Sequence, residues 1–479
     1  MGLIKFDGFK QELENLENFD TSNWKYEASL AEFLKPDGGI DLSHVNLAKA
    51  IMSEYIIRTM NDNEEIYFYD NGVYSAKGEE LVKAESQKIT RKVAEVASES
   101  ENTVLRDLTS YKINETLNFI RRDTYIAREK FDCNKAILNL GNGFLDLQTM
   151  ELNPHSPSII STVRIPVVHN PMIDCSRIRQ FLNEILGPED VSVIEELFGY
   201  CLTQSYQIQK AFLFIGGGAN GKTTLIELLR YFLGRENCSS IPLQALETQR
   251  FASSVLYSKL ANLYADLPSS SLKNVGIFKM LTGGDTVSAE KKFKDSFSFI
   301  NYAKLIFSAN QPPKIVGEDT YAFWRRWVII DFPNEFPEEK ADKNMIDKLT
   351  TTEELSGLLN VALEGLKRLQ ENGRFSQSKT TEEIADRYLK AADPVYAFVT
   401  TWCKRDPAAW TSKDDLHHAF ENYCWKEKIP FMRKDSFARA LTNLPGVAVR
   451  SEKHRILGYL TPGWVGIRLK REGEESDED

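Results

Sequence analysis

KAFLFIGGGANGKTTLIELLRYFLG, residues 210–234, is the stretch on which the fold turns. An apolar run, Ala211–Ile215, enters a glycine cluster, and from Lys222 onward the apolar residues recur at helical spacing. Gly216-x-x-x-x-Gly221-Lys222-Thr223 has the spacing of a phosphate-binding loop, with a strand expected before it and a helix after it. Glycines let backbone N–H groups turn toward a phosphate, and the helix N-terminus adds its dipole. Gly216, Gly218, Asn220, Gly221, Lys222, Thr223 and Thr224 would surround the nucleotide phosphates. Lys222 would bridge the β- and γ-phosphates, and the Thr223 hydroxyl would reach Mg²⁺.

Two further apolar runs follow at equal intervals. SKLANLYADLP ends at Asp266, 44 residues after Lys222, and AKLIFSAN ends at Asn310, 44 residues later. A carboxylate at a strand end beside the loop suits the Mg²⁺ shell, and an amide there could orient an attacking water. Arg325-Arg326 opens the apolar run WVIIDF; an arginine pair at a strand start is either a solvated rim or a finger reaching a neighbour's γ-phosphate. Between the second and third runs, Gly283-Gly284-Asp285 and the cluster Lys291, Lys292, Phe293, Lys294 suggest a hairpin tip. Cations around an aromatic ring suit single-stranded nucleic acid, which offers phosphates and flat bases.

The 479 residues exceed one ordinary core, so several domains are expected. Residues 1–130 read as mainly helical, with a Ser43 helix cap and an Asn71-Gly72 hairpin, and 131–200 as strands and turns leading into helices. The α/β core spans 201–340, a helical continuation 341–392, and 393–471 reads as three helices followed by a hairpin, the order of a winged helix. The tail 472–479 carries six acids in eight residues and is expected to be disordered. Six scattered cysteines show no zinc spacing, and no stretch is apolar enough to span a bilayer or serve as a signal peptide, so a cytoplasmic setting without membrane is expected. A net charge of −10 excludes a generally basic surface and leaves room for a locally basic channel.

Taken in order, LNLGNGFLDLQTMELNPHSP, GGGANGKTT, FKMLTGGDTVSAEKKFK, KLIFSANQPPKIVGEDTYAFWRRW and PGWVGIRLK resemble the superfamily 3 helicases of phages, plasmids and small DNA viruses. Within these, the chain is most similar to the primase-helicase group that includes the poxvirus primase-helicase, over roughly residues 100–470. The resemblance implies an α/β P-loop AAA+ motor domain with a mainly helical N-terminal region and a C-terminal winged-helix domain. It further implies a homo-oligomer, a hexameric ring, that hydrolyses ATP with Mg²⁺ and draws one DNA strand through its pore. Primase or polymerase partners in replication are expected as well. In these terms Lys222 and Thr223 hold ATP and Mg²⁺, Asp266 is the second-strand acid and metal partner, and Asn310 is the sensor. Arg326 is the preferred finger and Arg325 the second. Lys292 and Phe293, flanked by Lys291 and Lys294, would grip DNA. Many relatives pair two acids where this chain has Asp266-Leu267, which leaves the general base open, and a primase-polymerase domain is not visible in the first 130 residues. The N-terminal region is read as a collar or partner-binding domain. A double-strand translocase or packaging ATPase, and an origin-binding ATP switch, are the alternative readings.

Overall fold

Short apolar alternations pair into five sheets among the described residues, and the longer helical patterns pack around them. The computed structural model describes residues 40–471 together with Phe33, Lys35 and Glu474, apart from 97–100, 293–295, 317–319, 338, 340–341, 428, 445–446 and 457. The acidic tail beyond Glu474 therefore lies outside the described residues.

Helix α1 (His44–Glu54) starts where expected, the Ser43 hydroxyl accepting the Asn46 N–H at 3.3 Å. Then come β1 (Ile57–Met60), β2 (Ile66–Asp70) and β3 (Val73–Ser75), with Asn71 and Gly72 at φ +46° and +94° in the hairpin turn. Three helices follow, α2 (Gly78–Val96), α3 (Glu101–Asp107) and α4 (Ser110–Thr124), and then β4 (Tyr125–Ile126). The strands form one sheet in the order β3-β2-β1-β4. Alongside its helices, this region thus carries a four-stranded sheet, because strands of two to five residues leave little periodicity to read.

A small antiparallel sheet, β5 (Ile137–Leu140), β6 (Gly143–Asp146) and β7 (Leu152–Asn153), precedes helices α5 (Ser176–Ile185) and α6 (Pro188–Cys201). The chain then enters the central sheet through β8 (Ala211–Ile215), turns into α7 (Lys222–Leu233), and passes β9 (Cys238–Ser239), α8 (Leu243–Thr248) and β10 (Ala261–Tyr264). Helix α9 (Gly276–Gly283) leads to the antiparallel hairpin β11 (Thr286–Ala289) and β12 (Phe297–Ile300). Strand β13 (Lys304–Ala309), helix α10 (Tyr321–Trp324) and strand β14 (Trp327–Asp331) complete this part. All five central strands are parallel, in the order β14-β8-β13-β10-β9.

A parallel sheet is covered on both faces, which is why β8, β13 and β14 read as largely apolar runs. Phe212 and Phe214 enter the core shared with α5, α6 and α7, while Ala211, Leu213 and Ile215 enter the core on the other face. Three further helices follow, α11 (Met345–Leu349), α12 (Thr352–Asn372) and α13 (Thr381–Ala392). Helix α12 lies against α6 so closely that a Cβ on Gly199 would sit 2.3 Å from the Ala362 carbonyl oxygen.

The last part begins with α14 (Pro394–Trp402), and β15 (Cys403–Ser412) separates it from α15 (Lys413–Lys426) and α16 (Lys434–Thr442). A long hairpin, β16 (Arg450–Ile456) and β17 (Tyr459–Leu469), closes the sheet in the order β15-β17-β16. The expected run of three helices is therefore interrupted by a strand. Its sequence hides it, because β15 is an edge strand whose Pro407 falls in the register shift between Asp406 and Trp410.

Candidate active site

The loop after β8 sits at the carboxyl edge of the parallel sheet, between β14 and β13, the side on which such sheets bind ligands. Gly218, Ala219 and Gly221 have φ of +121°, +45° and +87°, which turns successive N–H groups toward one concavity. Gly221 is also the cap of α7, so no side chain caps the first turn, and a Cβ there would meet Ile185 Cγ2 at 2.6 Å. A Cβ on Gly216 would sit 2.1 Å from Asn220 Nδ2.

Lys222 closes this loop from inside. Its Nζ donates to the Gly216 carbonyl at 2.7 Å, to Asn220 Oδ1 at 2.9 Å and to Asn310 Oδ1 at 3.3 Å. Burial pulls the ammonium down to about 8, outweighing the opposite influence of Asp266. It is a cation short of counter-charge. Asn220 Nδ2 is buried with no hydrogen-bond partner. An unpaired donor, an under-neutralised ammonium and an uncapped helix N-terminus are what a phosphate group would satisfy.

Asp266 lies two residues beyond the end of β10, exposed, and close enough to influence Lys222. The next position explains the missing second acid: Leu267 is 3% exposed and packs in the core, its N–H donating to the Ser308 carbonyl at 2.7 Å. Thr223 is exposed and Thr224 half-buried at the loop mouth. Thus Lys222, Asn220, Asn310 and Asp266 are brought together, with Thr223 beside them. The chemistry of this set, one carboxylate, one hydroxyl and an anion cradle, fits a nucleoside triphosphate with Mg²⁺. Among the described residues no group of three His, Cys, Asp or Glu side chains could hold a metal by itself.

One neighbour of the loop had no signal in the sequence. The chain beyond β14 crosses the loop, with Phe332 N–H on the Ile215 carbonyl at 2.8 Å and Phe336 N–H on the Ala219 carbonyl at 2.7 Å. This brings the Glu335 carboxylate within 3.6 Å of where a Cβ on Gly217 would stand.

Arg325 and Arg326 are elsewhere. They precede Trp327, which pairs with Ala211, so they sit at the amino edge of the sheet while Lys222 sits at the carboxyl edge, about 15 Å away along the strands. Arg326 is 8% exposed; it donates to the Ala322 carbonyl, its Nε has no partner, and burial depresses its pKa. Arg325 is half-buried, held by Gln209 Oε1 at 2.8 Å, and its carbonyl accepts from Lys210 Nζ at 2.5 Å. Neither reaches the phosphate loop of its own chain.

Gly283-Gly284 ends α9, Gly284 taking φ +82°, and the hairpin tip lies further on, around the lysines. Lys292 is exposed at that tip, whereas Phe293 and Lys294 lie outside the described residues. Lys291 has company: its Nζ is 3.5 Å from Glu65 Oε1 and 5.8 Å from the Tyr257 and Phe297 ring centres. Glu65 also accepts from the Tyr67 hydroxyl at 2.8 Å, and Arg128 bonds both Asp62 and the Tyr257 hydroxyl. The tip end of the hairpin, just beyond β11, is therefore tied to the turn between β1 and β2, a contact between segments too distant for sequence patterns to pair.

Residues 214–326 match a family described as a family of unknown function (DUF5906), and residues 48–187 match one described as D5 N terminal like. A protein of Acanthamoeba polyphaga mimivirus named as a helicase, L207/L206, is 22% identical over 396 residues, covering 76% of this chain and 40% of its own length. A protein of African swine fever virus named as a primase, C962R, is 23% identical over 326 residues, covering 61% of this chain and 34% of its own. The chain thus spans well under half the length of these viral relatives. The apo C-terminal region of NrS-1 superposes with a TM-score of 0.41 at 14% identity, over 88% of this chain and 98% of that one.

Proposed function

We propose that this chain, similar over part of its length to the phage and viral primase-helicase group, is an ATP-driven replicative helicase motor, a ring that moves on single-stranded DNA and separates duplex. The observation that carries this reading is the convergence on Lys222 of the phosphate loop, the strand-end amide Asn310 and the nearby carboxylate Asp266. The strand order β14-β8-β13-β10-β9, with a hairpin inserted between β10 and β13, supports the AAA+ assignment. The α14–α16 helices with their three-stranded sheet support a winged helix.

In this reading the loop N–H groups and Lys222 bind the triphosphate, and the Lys222 ammonium gives up its protein acceptors for β- and γ-oxygens. Thr223 and Asp266 would hold Mg²⁺, which when bound neutralises charge at those oxygens. Asn310 orients the attacking water. Arg325, the less buried of the arginine pair, would complete the site of a neighbouring subunit, since it does not reach its own. Lys292 at the hairpin tip meets the DNA strand, and Lys291 beside it holds the tip end of the hairpin against the N-terminal sheet.

The test is ATP turnover by the purified protein without DNA, with single strands and with duplex, comparing wild type with Lys292→Ala. Strong stimulation by single strands, lost in the variant while basal turnover persists, is the expected result. Equal stimulation by duplex would replace the helicase with a double-strand translocase. No stimulation by either would leave an ATP switch.

A further inference from the structure

The hairpin β16–β17 extends beyond the body it belongs to. From Lys453 to Ile456 and from Gly458 to Leu460 every described residue is exposed, with Ile456 at 42%, Tyr459 at 79% and Leu460 at 66%. Two strands without a covering layer should not keep apolar tips in water unless they meet something.

The register sorts the arm into two faces. Ser451 opposes Trp464, Lys453 opposes Pro462 and Arg455 opposes Leu460. This face is core at Trp464 and becomes cationic as the arm leaves the body. On the other face His454 opposes Thr461 and Ile456 opposes Tyr459. There the His454 ring stacks on Trp410, centres 5.0 Å apart and planes at 9°. Gly463 makes room for the indole, since a Cβ would stand 2.1 Å from its ring. Glu452 is occupied by Arg450 at 2.9 Å and His454 at 3.4 Å. Among the described residues Lys453 and Arg455 have no carboxylate partner. On the neighbouring helix Lys434 pairs with Asp414, and Arg439 donates to the Asp435 backbone carbonyl at 3.3 Å.

We propose that this arm contacts DNA at a junction between duplex and single strands, Lys453 and Arg455 lying along backbone phosphates and Tyr459 stacking on the last base pair. The charge argues for a polyanion, since Lys453 and Arg455 lie two residues apart on one exposed face of the arm. The rings argue for bases, because an exposed flat side chain gains most by stacking. A ribbon of two strands with cations on one face and rings on the other suits a place where strands diverge. The inference rests on the DNA-motor reading, and its test does not require turnover.

The experiment is fluorescence anisotropy of the full chain with a forked DNA, a single strand and a blunt duplex, for wild type, Tyr459→Ala and Lys453→Ala/Arg455→Ala. These sites are exposed, and melting curves confirm that the variants fold. Tyr459→Ala is expected to weaken fork binding about tenfold with little change for blunt duplex. The double variant should lower the slope of log affinity against log salt by about two. Unchanged fork affinity, or equal losses on all three DNAs, would overturn the junction contact. A change in oligomer mass with fork affinity intact would make the arm a self-association element instead. If wild type shows no DNA-stimulated turnover but the fork result holds, the motor reading fails and the arm's contact stands.

Discussion

Lys222 and Lys304 are both buried lysines, and their surroundings separate their roles. Lys222 faces a cradle of donors suited to an anion. Lys304, at the start of β13, is fully buried, donates to the Thr203 and Tyr302 carbonyls and lies 4.5 Å from the centre of the Tyr200 ring. Burial brings its ammonium down from near 10.5 to about 7. Below pH 7 the amine is protonated folded and unfolded, so its cost is constant. Between about 7 and 10.5 the unfolded chain holds the proton and the folded chain does not, so stability rises with pH. Urea unfolding of wild type and Lys304→Met across this window is expected to diverge in favour of wild type, with a slope of up to about 1.4 kcal/mol per pH unit. Parallel curves would mean that Lys304 stays protonated in the fold.

At the scale of elements, the contact between α6 and α12 fixes one side of the core that covers the parallel sheet. It depends on Gly199, and on Gly365, where a Cβ would stand 2.6 Å from the Glu195 carbonyl oxygen. These glycines have no positive φ; their role is close approach. Gly199→Ala must push the helices apart, and a destabilisation of about 1–3 kcal/mol is expected in thermal or urea unfolding. Exposed helix positions such as Glu364 give the control, where an alanine should change stability by less than about 0.5 kcal/mol. The phosphate loop was legible from 210–234 because its turns, glycines and helix start are consecutive in the chain. The edge strand β15 was not legible, since its proline and register shift break the alternation that marks a strand.

For the whole molecule, the parallel sheet sets the phosphate loop at one edge and Arg325 at the other. If each site is completed by its neighbour, assemblies mixing Lys222→Ala and Arg325→Ala subunits regain turnover that neither variant has alone. In a random equal mixture about a quarter of the interfaces would pair an intact loop with an intact arginine. Turnover no better than the average of the two variants would place the arginine's role within its own chain. The tie between Lys291 and Glu65 belongs to this scale too, because it joins the inserted hairpin to the N-terminal sheet.

What the sequence determined by itself is local: the glycine loop between β8 and α7, the Ser43 cap, the Asn71-Gly72 turn, and β8, β13 and β14 recognisable as largely apolar runs. Each rests on neighbouring residues whose backbone conformation or periodicity is set within a few positions. Only the tertiary structure decided that Asn310 touches Lys222, that Leu267 fills the place of a second acid, that Arg326 is buried while Arg325 is less so, and that Lys291 is held by Glu65. Those outcomes depend on burial and on contacts between distant segments, and a side chain's charge or shape along the chain does not say which surface will close over it.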